Sequence, residues 1–438
     1  MRQSLERSVL LVSPHFPPVN APDHQRVRMS LPYFQEFGWK PHVLSVHPDY
    51  VEGAKDLLLE QMLPAGISVT RTKALSANRS RMVGLGDLGL RAFSSLRNAG
   101  DQIIKNEKID LIYFSTTVFT ALALARGWQR RFRIPYALDF QDPWLSNYHV
   151  GSHSSTPPGG RFKYGVSQFL ARRMEPYSLR HVCHITSVSP AYPVMLRQRY
   201  SWLQDRQFTV LPFGAAEKDF EILSALNLKQ TVFNKNDGKR HWVYVGRGGN
   251  DMAFSLRALF QALQHARSIN PERFADLMIH FVGTDYASPE HAQKTVAPLA
   301  VAYGLADLVH EQTARLPYFE ALQCLRDAEA LIVIGSDDPT YTASKIYPYI
   351  MAQKPLLAIF HQSSSVVEVL KSTQSGTVVT FSSGTPLEIV AEAVRTAWLE
   401  GDGLPAPNTD WREFLVYTAR EMTRRLCVIF DSCLSNVR

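Results

Sequence analysis

Between positions 330 and 359 the chain alternates in a way that few folds accommodate. Ala330 to Ile334 is an unbroken apolar run, and a polar segment from Asp337 to Ser344 follows it. Lys345 comes next, then Ile346, Tyr349 and Ile350 at helical spacing. After Gln353-Lys354-Pro355 a second apolar run covers Leu356 to Ile359. Short apolar runs without polar alternation suit strands buried on both faces, as in parallel sheets covered by helices. Strand, turn, helix, strand is therefore a parallel α/β unit. Its turn sits at the carboxyl end of the first strand, where open α/β sheets bind ligands. A lysine there can meet an anion held at a helix N-terminus.

The same alternation recurs along the chain. Strands are expected over Ser8 to Ser13, Pro41 to Val46, Ile109 to Phe114, Tyr136 to Phe140 and His181 to Val188. Further strands are expected over His241 to Val245, Leu277 to Val282 and Val309 to Glu311. Pro14, Pro17, Pro18 and Pro22 force a loop after the first strand. Helices are expected over His24 to Phe37, ended by Gly38, over Val118 to Arg126 and over Arg161 to His181. One more follows Gly246-Arg247-Gly248-Gly249-Asn250, and in Trp411 to Cys433 the positions Met422, Leu426, Ile429, Phe430 and Cys433 share a face. Tyr148 to Gly160, rich in Gly, Ser and Pro, reads as a mobile loop or lid. A chain of 438 residues is long enough for two domains, with the boundary expected near residues 205–215.

Composition narrows the function classes. The formal charge of +7 is a slight basic excess without a dense Lys/Arg run, which argues against nucleic acid as a partner. It suits either an ordinary soluble surface or a positive site for a phosphorylated ligand or anionic lipid. The four cysteines, Cys183, Cys324, Cys427 and Cys433, form no Cys-x-x-Cys pair. Neither a zinc nor a redox motif is indicated, and their scatter suits a reducing cytoplasm. No stretch has the 18 or so apolar residues of a membrane span, and Met1 to Val12 lacks the features of a signal peptide. A cytoplasmic protein is expected. Any membrane contact is expected to be peripheral, through the basic and apolar faces of Arg161 to Arg173 at the inner face of the membrane.

The stretch Ser344-Lys345-Ile346-Tyr347-Pro348-Tyr349-Ile350-Met351-Ala352-Gln353-Lys354-Pro355 resembles a signature of the family-4-like retaining glycosyltransferases of GT-B fold, in its Ser-Lys variant. That signature reads roughly Pro-Ser-Lys-hydrophobic-aromatic-Glu-Tyr, then small residues, then Gly-Lys-Pro. The chain departs from it at Ala343, Pro348 and Gln353; the glutamate replaced by Pro348 typically holds the donor ribose. Asp139-Phe140-Gln141-Asp142-Pro143-Trp144 resembles the family's Asp-x-Arg-Asp-Pro-Trp, with Gln141 for Arg. Arg26 matches a common Arg. Asn20-Ala21 stands where the family has Gly-Gly, and Met252 where a Lys follows the Arg equivalent to Arg247. Phe208 to Phe220 resembles the interdomain link, with Phe213 for an Asn. Leu316-Pro317-Tyr318 resembles a loop that contacts the donor base.

The resemblance implies an α/β GT-B fold, two Rossmann-like domains with parallel sheets facing across a cleft. Residues 1–207 would be the acceptor domain, 208–405 the nucleotide-sugar domain, and 406–438 a helix crossing back to the first. It implies a metal-independent, retaining transfer of a sugar from a nucleotide diphosphate sugar to a glycan or lipid-linked acceptor. No cofactor and no metal are expected. Asp142, Arg247 and Lys345 are the catalytic candidates. Gly246, Arg247, Gly248, Leu316, Pro317, Ser344, Lys345, Ile346 and Tyr347 are candidates for the donor, and Asn20, Arg26, Asp142 and Trp144 for the acceptor.

Each candidate also has a plainer reading. Gly-Arg-Gly-Gly is equally a surface turn, Asp142 a helix cap, and Glu368, a possible substitute for the missing glutamate, a solvated helix residue. His15, His24, His149 and His153 read as loop residues. The departures leave open a catalytically inactive binding or scaffold protein of the same fold, and a nucleotide-sugar enzyme of another type, such as an epimerase.

Overall fold

The computed structural model describes residues 7–82, 86–145, 160–285, 287, 290–338, 344–401 and 403–435. The loop expected over Tyr148 to Gly160 lies, all but its last residue, outside the described residues. So do Thr342 and Ala343. The chain folds as two compact units, one of residues up to Gly214 together with those from Ala419 on, the other from Ala215 to Thr418.

Among the described residues the first unit holds seven strands: β1 (Arg7–Val12), β2 (Trp39–Val46), β3 (Ser68–Thr72), β4 (Leu111–Ser115), β5 (Tyr136–Phe140), β6 (His184–Ser187) and β7 (Phe208–Val210). All pair in parallel, in the order β3-β2-β1-β4-β5-β6-β7. Successive side chains of a strand point to opposite faces. Leu10 and Val12 accordingly join one core with Leu44, Ile112 and Phe114, and Val9 and Leu11 join another with Val43, Leu111 and Tyr113. The second face is covered by the helix Ala419–Ser435, whose Met422, Leu426 and Phe430 are buried there. Phe430 stacks on Phe34 and meets Trp39 and Tyr113 edge-on, and Trp39 Nε1 donates to Asp431 Oδ1 at 3.0 Å. A disulfide joins Cys183 to Cys433, Cα atoms 5.5 Å apart and 250 residues apart in sequence. No short spacing advertises that pair, which departs from the expectation of reduced, scattered thiols.

The second unit holds β8 (Arg240–Val245), β9 (Leu277–Val282), β10 (Val309–Gln312), β11 (Ala330–Ile334), β12 (Leu356–His361) and β13 (Thr377–Phe381). They form one parallel sheet, β10-β9-β8-β11-β12-β13. In both sheets the winding reverses beside the unit's first strand, between β1 and β4 and between β8 and β11. Those are the switch points at which α/β sheets open a crevice for ligands.

Three differences from expectation have local causes. The helix expected over His24 to Phe37 breaks into Pro22–His24, Gln25–Ser30 and Gln35–Phe37. Pro32 lies within that span, and its ring and missing N–H do not fit a helix interior. The segment Trp411 to Cys433 is not one helix, because Thr418 is extended (φ −70°, ψ 152°) and the long helix starts after it. β3 and β13 went unread because they are edge strands whose residues, Ser-Val-Thr-Arg-Thr and Thr-Val-Val-Thr-Phe, are half polar.

Candidate functional site

In the second unit, β8 ends at Val245, held by Tyr349. The Val245 N–H donates to Tyr349 Oη (2.6 Å), and that hydroxyl donates to Val245 O (3.0 Å). The chain then turns at Gly246 with φ +153°, a backbone that L side chains rarely adopt. A β-carbon at Gly246 would lie 2.7 Å from Lys345 Nζ and 3.2 Å from its Cδ. The glycine is thus what lets Lys345, on the loop after the neighbouring strand β11, lie against the end of β8. Lys345 Nζ bonds Tyr244 Oη and stands 4.3 Å from the centre of that ring. Burial, and then the charge of Arg247, pull the ammonium down to about 7, with Asp251 opposing.

Arg247 folds back over Gly249, where a β-carbon would meet its Nη1 at 2.1 Å. Its guanidinium grips Asp251 with both ends, Nη1 to Oδ1 at 2.8 Å and Nη2 to Oδ2 at 2.7 Å. Burial alone would raise the Asp251 carboxyl, but this fork outweighs it and the net shift is downward. The two cationic side chains singled out in the sequence therefore share one switch point, on adjacent loops.

The remaining donor candidates separate. Ser344 is exposed; Ile346 and Tyr347 are buried, Tyr347 stacking on Tyr417 at 5.8 Å. Their side chains belong to the core. Leu316 is buried, and the exposed Pro317 precedes the helix Tyr318–Asp327. The helix after Lys345 runs only from Ile346 to Met351. So short a helix contributes little through its dipole, and the local positive field rests on Lys345 and Arg247.

In the first unit the residues at the switch point are bound into a buried network. Arg26 is 3% exposed. Its Nε pairs with Asp139 Oδ2 at 2.7 Å, its Nη2 and Nη1 donate to the carbonyls of Leu211 (2.5 Å) and Pro212 (3.2 Å), and Phe213 lies against it. Ser115, Thr186 and Gln141 also donate to Asp139. One buried carboxylate is thus matched by one guanidinium. A second Arg at 141 would leave a buried charge without a partner, which accounts for the neutral Gln141. Asn20 is half-buried, its N–H on Ala54 O at 2.9 Å, and Trp144 stacks on Phe119 at 5.5 Å. Asp142 is exposed, yet crowding by surrounding protein and then the charge of Asp23 push its carboxyl up to about 6.

Beside it stand His15, expected only as a loop residue, and Asp23, not singled out in the sequence. His15 Nδ1 lies 3.0 Å from both carboxylate oxygens of Asp23. Asp23 is buried and also accepts from Thr116 Oγ1 (2.9 Å), the Thr117 N–H (3.1 Å) and Thr117 Oγ1 (3.2 Å), so the loop after β1 is tied to the loop after β4. Burial by itself would raise the carboxyl, but His15 and these donors hold it down at about 2. The sequence carries a signal: two titratable residues in one proline-rich loop after the first strand. Among the described residues no group of three or more His, Cys, Asp or Glu is placed to hold a metal ion. No described helix is long and apolar enough to cross a membrane.

No protein-family model matches the sequence, and no curated protein matches it significantly. Solved structures do match along nearly its whole length. The Anabaena protein HepE in complex with UDP-glucose aligns with a TM-score of 0.53 at 14% identity, over 98% of each chain. An E. coli structure bound with UDP-2-fluoro glucose aligns with a TM-score of 0.58 at 11% identity, again over 98% of each. The N-terminal domain of Candida albicans trehalose-6-phosphate phosphatase aligns with a TM-score of 0.58 at 13% identity, over 99% of this chain and 98% of that one. At such identities the likeness is one of fold: two parallel α/β units in the GT-B manner.

Proposed function

We propose that this chain is a glycosyltransferase that moves a sugar from a nucleotide diphosphate sugar to a hydroxyl of a glycan or lipid-linked acceptor. The observation that carries the reading is the meeting of Lys345 and Arg247 at the switch point of the second sheet, within reach of each other's charge, with Gly246 clearing the space that Lys345 occupies. Departure of the sugar's leaving group puts negative charge on a diphosphate. Fixed cations aimed at that charge supply the kind of stabilisation that lowers such a barrier most. Two of the structural neighbours hold a UDP-sugar or its fluoro analogue, which supports the same donor class here. The Ser344-Lys345 resemblance supports a family-4-like enzyme. Catalysis independent of metal ions belongs to the same reading, with Lys345 and Arg247 in the metal's role. Gly246, Gly248 and Ser344 offer polar backbone or hydroxyl groups to the phosphates, and Leu316-Pro317 an edge for the base. Ile346 and Tyr347 act through their backbone. Asn20, Asp142 and Trp144 are proposed on the acceptor side, with Arg26 holding their platform. Retention is the stereochemical course the resemblance implies; it turns on which group takes the acceptor's proton.

The test is release of nucleoside diphosphate from a panel of nucleotide sugars, with and without acceptor extract and with EDTA present. Release that survives EDTA and falls roughly 10²–10³-fold in Lys345→Ala supports the reading. Absence of turnover with every donor, or turnover abolished by EDTA and restored by magnesium or manganese, counts against it. One observation favours a second reading, a binding protein without catalysis: both ends of the Arg247 fork are engaged by Asp251. Tight nucleotide-sugar binding without turnover would select that reading.

The helix Gly160–Leu179 supports a proposed peripheral contact with anionic lipid at the inner face of the membrane. It exposes Phe169 (59%) and Val166 (43%) beside the exposed Arg172 and Arg173, and Arg173 lies over the Phe169 ring at 5.4 Å.

A further inference from the structure

The Arg247–Asp251 pair gives the guanidinium what a phosphate would give it. A carboxylate and a phosphate both offer two acceptor oxygens to an arginine fork. Here Nη1 and Nη2 donate to Asp251 Oδ1 and Oδ2 at 2.8 and 2.7 Å. The charge of Asp251 also reaches Lys345, where it opposes that of Arg247. Both cations of the switch point thus face an anion that the chain itself supplies.

Two observations separate this contact from an ordinary surface ion pair. The first is Gly249. Its backbone (φ −101°, ψ 165°) is open to any residue, so no turn calls for a glycine there. A β-carbon, however, would overlap both Arg247 Nη1 and Asp251 Oδ1. The missing side chain is the room in which the pair forms. The second is the way Asp251 is held. Its carboxylate also accepts from Ser336, whose Oγ accepts from the Asp338 N–H at 3.0 Å. Its carbonyl accepts from the Asp337 N–H at 2.8 Å. Asp251 is thereby fastened to the loop after β11. The helix that follows it, Ala253–Ile269, begins without a side-chain cap, so the carboxylate does not serve the helix. Asp251 is the fixed member of the pair. Arg247, with a long unbranched side chain that is 32% exposed against 20% for Asp251, is the arm that swings.

We propose that Asp251 is a built-in competitor for Arg247, holding the guanidinium in the free protein in place of a phosphate, and that a diphosphate binds by exchanging with it. The inference rests on the reading that this switch point receives a diphosphate. The pair stabilises the free protein alone. It therefore raises the dissociation constant and leaves the barrier of the bound donor unchanged. When the nucleotide diphosphate leaves, Asp251 takes Arg247 back, so release does not leave a half-buried guanidinium bare.

The experiment titrates two probes by calorimetry: inorganic pyrophosphate, which carries the charge without a base, and UDP. The proteins are wild type, Asp251→Asn, Gly249→Ala, Arg247→Gln and the double variant of Arg247→Gln with Asp251→Asn. The substitution of Asp251 by Asn keeps the shape and an acceptor for Ser336 but removes the charge. Asp251→Asn is expected to bind both probes about fivefold more tightly, the upper range for releasing one exposed, bidentate pair. Gly249→Ala displaces the pair without straining the backbone and should change affinity in the same direction. In the Arg247→Gln background the effect of Asp251→Asn should fall below about twofold, because Asp251 acts through Arg247. With a donor that is turned over, Asp251→Asn should lower KM and leave kcat as in wild type. Unchanged or weaker binding in Asp251→Asn or Gly249→Ala, or an Asp251 effect of full size without Arg247, overturns the proposal and leaves the diphosphate reading standing. Tighter binding by both variants of a chain that turns over no donor upholds the proposal and removes the transferase reading. Failure of wild type and Asp251→Asn alike to bind either probe overturns both.

Discussion

Lys345 is a lysine whose charge depends on what it holds. In the free protein its ammonium is pulled down to about 7 by burial and by Arg247. The unfolded chain, with an ordinary lysine, binds the proton more tightly. Stability contributed through this group therefore rises with pH between about 7 and the ordinary lysine range near 10.4. A diphosphate beside Nζ reverses the local field and favours the charged form. Nucleotide diphosphate binding at pH 8 is thus expected to take up a proton. Calorimetric heats should differ between buffers of different ionisation enthalpy, and the difference should vanish in Lys345→Met. Heats independent of buffer in the wild type would contradict the placement of the phosphates. The sign is the same for Asp23, held at about 2, but in an acidic window. Its contribution is present above the ordinary aspartate range and is lost as pH falls through about 2, so Asp23→Asn should flatten the acid unfolding curve. Gln141→Arg should destabilise by several kcal/mol, since it buries a second cation beside Arg26 and Asp139.

At the scale of elements, the loop after β8 is shaped by what its glycines exclude. In Gly246→Ala the new methyl group meets the far end of Lys345, which can swing away, while the φ of +153° becomes strained. The expected result is a drop of at least tenfold in nucleotide affinity, with thermal stability lowered by only about 1–3 kcal/mol. Unchanged affinity would mean that Lys345 need not lie against β8 to bind. The helix Gly160–Leu179 makes a separate prediction. Cosedimentation with anionic vesicles should exceed that with neutral ones and fall as salt rises, and Phe169→Ser should weaken it. Equal sedimentation with both vesicle types would remove the lipid contact.

At the scale of the whole molecule, the chain leaves the first unit at Gly214 and returns to it at Ala419. The returning helix completes that unit's core. Phe430, fully buried against Phe34, Trp39 and Tyr113, is the centre of this contact. Phe430→Ala should cost about 3–5 kcal/mol in urea unfolding of the first unit. A cost below about 1 kcal/mol would show the helix to be an appendage.

Local sequence determined the strands that are buried on both faces. Ala330–Ile334 is legible as an unbroken apolar run of strand length, and Tyr136–Phe140 and Leu277–Val282 as apolar runs interrupted only by Asp139 and His280. It also determined that Lys345 and Arg247 follow strands. It did not reveal the break that Pro32 makes between His24 and Phe37, nor the half-polar edge strands β3 and β13, although the edge strand β10 was legible. Tertiary structure alone decided which strands are neighbours. Through that choice Lys345 met Gly246 and Tyr244, Tyr347 went to the core, and Asp23, eight residues from His15 in the same loop, was set on Thr116 and Thr117. The physical reason is range. A strand's burial is encoded in five adjacent residues, whereas the state of a charged side chain is set by partners a hundred residues away, whose charge and solvent exclusion act only once the sheet has formed.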